Sequence, residues 1–132
     1  MAREEMNALV VEDEKLFNWS LASSLSKWGF EVSPVFTGTD ALAQIEKSGF
    51  DVVLLDYMLP DLDGLEIARL VRKRQPGAVI FLVTAFQLTE LSMDAGLIDN
   101  YFNKPLDLEQ LHQALKDIRK LRRSSHIPAS PQ

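Results

Sequence analysis

Three short stretches of this chain, "ALVV" (residues 8–11), "DVVLL" (51–55) and "AVIFLV" (78–83), consist almost entirely of Val, Leu, Ile and other apolar residues. A strand with one wet face alternates apolar and polar residues. A strand buried on both faces does not. The three runs therefore predict inner strands of a parallel sheet with helices on both sides. "FEVSPVF" (30–36) alternates more and carries Pro34, which cannot donate to a ladder, so it reads as a strand near an edge. "NYFN" (100–103) supplies a fifth, shorter run.

Helical patterns fill the intervals. Phe17, Leu21, Leu25 and Trp28 recur at helical spacing over residues 14–28, and Gly29 ends that helix. Leu42 and Ile45 share a face in "TGTDALAQIEKSG", which closes at Gly49. Leu65, Ala68 and Val71 do the same in "LEIARLVRKRQPG", with Ile67 and Leu70 widening the stripe. Arg72, Lys73 and Arg74 suit the C-terminal end of that helix. Leu108, Leu111, Leu115, Ile118 and Leu121 mark the longest amphipathic helix, over residues 107–122, with Asp107 as its N-cap. Five strands alternating with five helices predict an α/β fold.

At 132 residues, 46% hydrophobic and 25% charged, the chain is sized for one domain. Its net charge of -5 gives no bulk attraction for nucleic acid. With no cysteine, disulfides, thiolate metal sites and a cysteine nucleophile are excluded. No apolar run approaches the roughly 20 residues of a membrane helix, and the first residues do not resemble a signal peptide. A cytoplasmic protein with no membrane partner is expected.

In open α/β sheets, function gathers at the carboxyl ends of the strands. There the sequence puts Glu12, Asp13 and Glu14 after the first strand, Asp56 after the third, Thr84 after the fourth and Lys104-Pro105 after the fifth. Asp56 alone could be a structural cap, a metal ligand or a nucleophile. Converging carboxylates repel, by on the order of 4 kcal/mol for a pair about 4 Å apart at an effective dielectric near 20, so a cation is needed. Hard oxygen ligands favour Mg²⁺ or Ca²⁺. A lysine and a threonine beside them suit an anionic oxygen group, and together the set points to phosphoryl transfer with Asp56 as nucleophile.

The segments "VVEDE", "LLDYMLPDLDG", "VTA" and "NKP", in that order and spacing, resemble the response-regulator receiver domain of two-component signalling over about residues 6–122. Each motif is weak alone; the ordered set is specific. The resemblance implies a flavodoxin-like (βα)5 doubly wound three-layer sandwich whose five-stranded parallel sheet has the order 2-1-3-4-5. Residues 1–123 would form the receiver and residues 124–132 a flexible tail or the start of a linker.

By the same resemblance, Asp56 is the phosphoacceptor, charged by a phosphohistidine on a sensor histidine kinase or histidine phosphotransfer domain. Asp13 binds Mg²⁺ directly and Glu12 through water, with Mn²⁺ as a substitute. Met58 contributes its backbone carbonyl. Thr84 hydrogen-bonds a phosphoryl oxygen, Lys104 pairs with another, Pro105 follows it through a cis bond, and Tyr101 is the switch aromatic. Such a domain catalyses its own phosphorylation and dephosphorylation without being a turnover enzyme. Its fourth helix, fifth strand and fifth helix form the face for a homodimer or an output domain.

Competing assignments are a receiver-like module that signals by binding alone and a flavodoxin-like cofactor binder. The second needs a phosphate-cradling loop where "EDEKLF" is acidic. "DLDG" lacks the ligand run of a calcium loop, so Asp61 and Asp63 read as turn and cap residues ahead of the third helix. His112 and His126 show no partner pattern, and His112 is expected to be exposed. Trp19 and Trp28 read as packing. The interval from Thr84 to Lys104 is shorter than the family's usual one, so its helix should be short, displaced or partly unwound. Met58 and Phe86 are large and apolar beside the site, which predicts a long-lived phosphorylated form.

Overall fold

The computed structural model describes residues 5–85 and 96–126. The chain runs β1 (Met6–Val11), α1 (Lys15–Lys27), β2 (Phe30–Val35), α2 (Gly38–Lys47), β3 (Val52–Asp56), α3 (Gly64–Arg74), β4 (Val79–Thr84), β5 (Asn100–Asn103) and α4 (Leu108–His126). The strands form one parallel sheet in the order β2-β1-β3-β4-β5. All five expected strands are present, and Pro34 sits on the edge strand β2 as its missing N–H requires. Four of the five expected helices are described; the remaining one, expected from the apolar residues Leu88, Leu91 and Ala95, lies with Phe86 outside the described residues.

Period-two alternation sorts the inner strands between two cores. Leu9, Val11, Val53, Leu55, Ile80 and Leu82 face α2 and α3, meeting Ala41, Ile45, Ile67, Ala68 and Val71. Ala8, Val10, Val52, Leu54, Phe81 and Val83 face α1 and α4, meeting Leu21, Leu25, Leu111 and Leu115. The continuous apolar runs follow from this: every residue of β3 is buried, because helices cover both sides. At about 25 cal/mol per Å² of apolar area removed from water, burial on both faces makes each such strand a large favourable contribution to folding.

Local signals close the helices. Gly29 takes φ 95° after α1, a left-handed conformation that a Cβ disfavours. The Thr37 side chain accepts from the Asp40 N–H to cap α2, and Asp107 accepts from the Glu109 and Gln110 N–H groups to cap α4. α4 runs to His126, beyond the expected end at residue 122.

Three expectations are corrected. Trp19 is not core packing: it is 55% exposed, beside Leu16 on the outer face of α1. His112 is not a free surface residue; its ring stacks on Trp28 with centroids 4.0 Å apart and an interplanar angle of 3°, joining α4 to the end of α1. Asp61 does not serve the third helix. Its carboxylate accepts from the Gly38 and Thr39 N–H groups and the Thr39 hydroxyl, at 2.8, 2.9 and 2.7 Å, so it caps α2 from the loop after β3. Asp63 does cap α3, through the Leu65 N–H.

No helix among the described residues is long and apolar enough to cross a membrane.

Candidate functional site

Sheet register decides which strand-end residues can meet. Val11 pairs with Leu55, so the next residues, Glu12 and Asp56, stand level. Asp56 pairs with Val83, which puts Thr84 one step beyond it. Thr84 pairs with Asn103, and Lys104 follows, its N–H donating to the Thr84 carbonyl at 2.9 Å. Four separate strands thus bring their ends to one edge, as the sequence reading expects.

The Lys104 ammonium is the hub. Its Nζ lies 2.9 Å from Glu12 Oε1 and 3.1 Å from Asp56 Oδ2. Asp56 Oδ1 accepts from the Met58 N–H at 3.2 Å, and Glu12 Oε2 accepts from the Glu14 N–H at 2.9 Å. Glu12, Asp56 and Thr84 are buried, Lys104 is partly buried and Asp13 is exposed. One oxygen each from Glu12, Asp13 and Asp56 lies within 4.8 Å of the others.

Three carboxylates against one ammonium leave an excess of negative charge. At 4.8 Å, a pair of unit charges repels by on the order of 3 kcal/mol at an effective dielectric near 20. Burial pushes the Glu12 carboxyl up from its ordinary value, against the pull of the Lys104 and Glu14 hydrogen bonds, and the Asp56 charge adds to the rise. Burial alone would lower the Lys104 ammonium; the hydrogen bond to Glu12 and the charges of Asp56 and Glu12 together outweigh it, so the group is held raised. The raised Lys104 registers the acids around it, while Glu12 is raised chiefly by its burial. The donors are hard oxygens without sulfur or imidazole, which fits Mg²⁺.

The loop from Asp56 to α3 is shaped by close contact. A Cβ on Gly64 would stand 2.5 Å from the Asp56 carbonyl oxygen and 2.9 Å from the Tyr57 Cα, so only glycine lets α3 begin there. The Gly64 N–H donates to the Tyr57 carbonyl at 2.9 Å, and Met58 bridges Asp63. Met58 presents its side chain outward, 56% exposed. The other end of the loop hangs on α2 through Asp61, whose carboxyl is pushed down to about 2, chiefly by the Thr39 hydroxyl and then by the Gly38 and Thr39 N–H groups.

Tyr101 is half-buried and packs against the core on the α2 and α3 side. The Lys104–Pro105 bond is cis. Two further residues stand at the site that their sequence pattern does not mark as functional. Fully buried Asn18 donates to the Glu12 carbonyl at 2.9 Å and the Val35 carbonyl at 2.8 Å, tying α1 to the ends of β1 and β2. Its signal was present: a polar residue three before Leu21 on the apolar stripe. Phe17 lies with its ring centroid 4.7 Å from Lys104 Nζ. Nothing in the pattern of α1 distinguishes it from an ordinary core residue.

The sequence matches the family model described as the response regulator receiver domain over residues 8–116. The regulatory protein VanRc of Enterococcus gallinarum is 36% identical over 128 residues, covering 93% of this chain and 54% of that protein. The chain spans about half the length, or less, of curated relatives it matches; for the transcriptional regulatory protein ZraR of Salmonella typhimurium the share is 27%. Among solved structures, the response regulator TrrA of Thermotoga maritima, in complex with Mg²⁺ and BeF, superimposes with a TM-score of 0.78 at 29% identity, over 86% of this chain and 98% of that one. A CheY-like receiver domain from Methanospirillum hungatei gives 0.82 at 28% identity, over 91% and 98%. The acid cluster around Asp56, the doubly wound sheet that builds it and these likenesses agree: the chain belongs to the response-regulator receiver domains of two-component signalling.

Proposed function

We propose that Asp56 accepts a phosphoryl group from a phosphohistidine on a sensor histidine kinase or histidine phosphotransfer domain, and that the acyl phosphate changes a protein-interaction surface of this domain. The observation that carries the reading is the double contact of Lys104 Nζ with Asp56 and Glu12, with the Asp13 carboxylate alongside.

A carboxylate oxygen of Asp56 attacks phosphorus. The new O–P bond forms as the P–N bond breaks, and its electron pair stays with the imidazole nitrogen of the donor. Oδ1 is held by the Met58 N–H, and Oδ2 by Lys104. These contacts aim the carboxylate and reduce the orientational freedom lost on reaching the transition state. Lys104 then follows the transferred charge, exchanging its bond to the carboxylate for one to a phosphoryl oxygen. The Thr84 hydroxyl, one step beyond Asp56 in the register, takes another.

Glu12, Asp13 and Asp56, with the Met58 carbonyl, would hold Mg²⁺, which supplies positive charge to the phosphoryl oxygens; Mn²⁺ suits the same donors. Phosphorylation adds about 1.5 to 2 negative charges and strong acceptor oxygens. Thr84 and Lys104 are drawn toward them. Tyr101, between these two in sequence and packed on the α2 and α3 side, follows as a reporter of β5. Residues 1–123 are taken as the signalling unit, and an output domain or separate target as its reader.

The test is incubation with Mg²⁺ and acetyl phosphate, followed by intact mass. The expected result is one added phosphoryl group, lost on mild alkaline treatment and absent from a folded Asp56→Asn variant. A folded wild type that gains no mass, from acetyl phosphate or from any phosphohistidine donor, would sink the reading.

A further inference from the structure

We propose that Phe17 is a positioning residue for Lys104, its ring face holding the ammonium at the site while leaving the N–H donors free to be re-aimed. The proposal rests on the phosphoryl-transfer reading and deepens it.

The geometry begins with Asn18. Its two bonds to the Glu12 and Val35 carbonyls pin the start of α1 to the sheet. That fixes the roll of the helix. Leu16 and Trp19 turn outward, 77% and 55% exposed, while Phe17 turns toward the strand ends and packs partly buried on the α1 and α4 core. Its ring centroid then lies 4.7 Å from Lys104 Nζ, inside the roughly 6 Å reach of a cation–π contact. Lys104 is thus held from three sides: Glu12, Asp56 and the ring.

The ring offers something the carboxylates cannot. A carboxylate binds through directional N–H···O bonds, so it sets where each proton points. A ring face attracts the charge through its quadrupole, with weak directional demand. When negative charge moves from the Asp56 carboxylate to phosphoryl oxygens, the N–H donors must turn. A carboxylate in place of the ring would compete for them and add to the acidic excess. Water in its place would let a flexible four-carbon side chain swing out of the site. The ring keeps the head near the site and leaves it able to turn.

A double-mutant cycle separates this role from packing. Phe17→Leu and Phe17→Met keep apolar bulk and remove the ring; Phe17→Tyr keeps the ring. Each is made in the wild type and in Lys104→Met; two readouts are taken, the first where Lys104 is present and the second in both backgrounds. The first is the NMR shift of the Lys104 CεH₂ protons, which a ring above them moves upfield without any phosphoryl chemistry. The second is the apparent affinity for beryllofluoride with Mg²⁺, together with the rate of labelling by acetyl phosphate.

The expected result is an upfield shift in the wild type and Phe17→Tyr that is lost in Phe17→Leu. Labelling rate and beryllofluoride affinity should fall about three- to tenfold in Phe17→Leu and Phe17→Met, recover in Phe17→Tyr and show no further loss in the Lys104→Met background. Three outcomes would overturn the proposal with the function intact: no ring-current shift in the wild type, wild-type rates in both ringless variants, or equal losses with and without Lys104. A wild type that takes neither phosphoryl nor beryllofluoride, ring-current shift present, would remove the functional reading and this role with it.

Discussion

Lys104 and Asp56, 48 positions apart in sequence, meet at 3.1 Å because β3, β4 and β5 are neighbours in parallel register. The ammonium compensates charge that burial would otherwise make costly, so its removal has a predictable consequence. Without divalent cation, Lys104→Met should lower unfolding free energy by about 1–3 kcal/mol near neutral pH. The range sits below that of a fully buried pair, because water still reaches the lysine. Urea titration measures it. Lys104 is held above its ordinary 10.5, so its contribution is complete below that value and disappears as pH rises through the higher folded one. Glu12 is also raised, so its charged form weighs against the fold, and the variant's deficit should shrink in acid as Glu12 takes a proton. A deficit that stays constant from pH 4 to 11 would contradict this assignment.

Asp61 offers a pH test away from the acid cluster. Its carboxyl titrates at about 2 rather than 3.8, because the Thr39 hydroxyl and the first N–H groups of α2 bond its charged form. A depressed carboxyl contributes stability that is complete above 3.8 and is lost as pH falls through about 2. Asp61→Asn should therefore melt below the wild type above pH 4, with the two curves converging toward pH 2. Carbonyl-carbon NMR of Asp61 should titrate near 2, and in Thr39→Val it should move upward.

Gly64 tests the close approach of α3 to the end of β3, which carries Asp56. Gly64→Ala puts a methyl group 2.5 Å from the Asp56 carbonyl oxygen, where no flexible side chain can yield. Overpacking of this kind costs about 1–3 kcal/mol. The shift must be absorbed by residues 56–58, so the variant should also label more slowly at Asp56 even where it remains folded. A variant with wild-type melting and labelling would mean that the helix start is more yielding than its contacts suggest.

Asn18 bonds two buried carbonyls from the centre of an apolar stripe. Asn18→Ala leaves both without those bonds and opens a small void, for an expected loss of about 2–3 kcal/mol. Asn18→Leu should restore volume but not the loss. Because α1 would then be free to roll, the Lys104 ring-current shift should fall as well. If that shift is unchanged in a folded Asn18 variant, Asn18 does not set the roll of α1.

Mg²⁺ should stabilise the fold through mass action, by about 2.7 kcal/mol at a hundredfold excess over its dissociation constant. Melting with and without chelator measures the effect. Asp13→Asn should abolish most of it while leaving the metal-free melting temperature unchanged or higher, since it removes one of the mutually repelling carboxylates. An equal Mg²⁺ increment in wild type and Asp13→Asn would put the metal elsewhere.

The sequence alone determined the sheet, because doubly buried strands cannot hide their composition: 8–11, 51–55 and 78–83 have no polar alternation. It also determined which polar residues stand at the strand ends. Charges at the ends of such strands are few, and a parallel sheet turns those ends to one edge, so Glu12, Asp13, Asp56, Thr84 and Lys104 could be named from order and spacing. Phe86 and the helix expected around it lie outside the described residues. What only the tertiary structure decided depends on angles and distances between elements. Asp61 reaches α2 rather than its own helix, because the loop after β3 folds against that N-terminus. Trp19 faces water while Phe17 meets Lys104, because α1 packs Leu21 and Leu25 onto the sheet and Asn18 bonds the ends of β1 and β2. His112 stacks on Trp28, because α1 and α4 cover the same face of the sheet. Periodicity identifies the face of a helix that is apolar; which partner that face meets is set by packing across the sheet, and no local pattern encodes it.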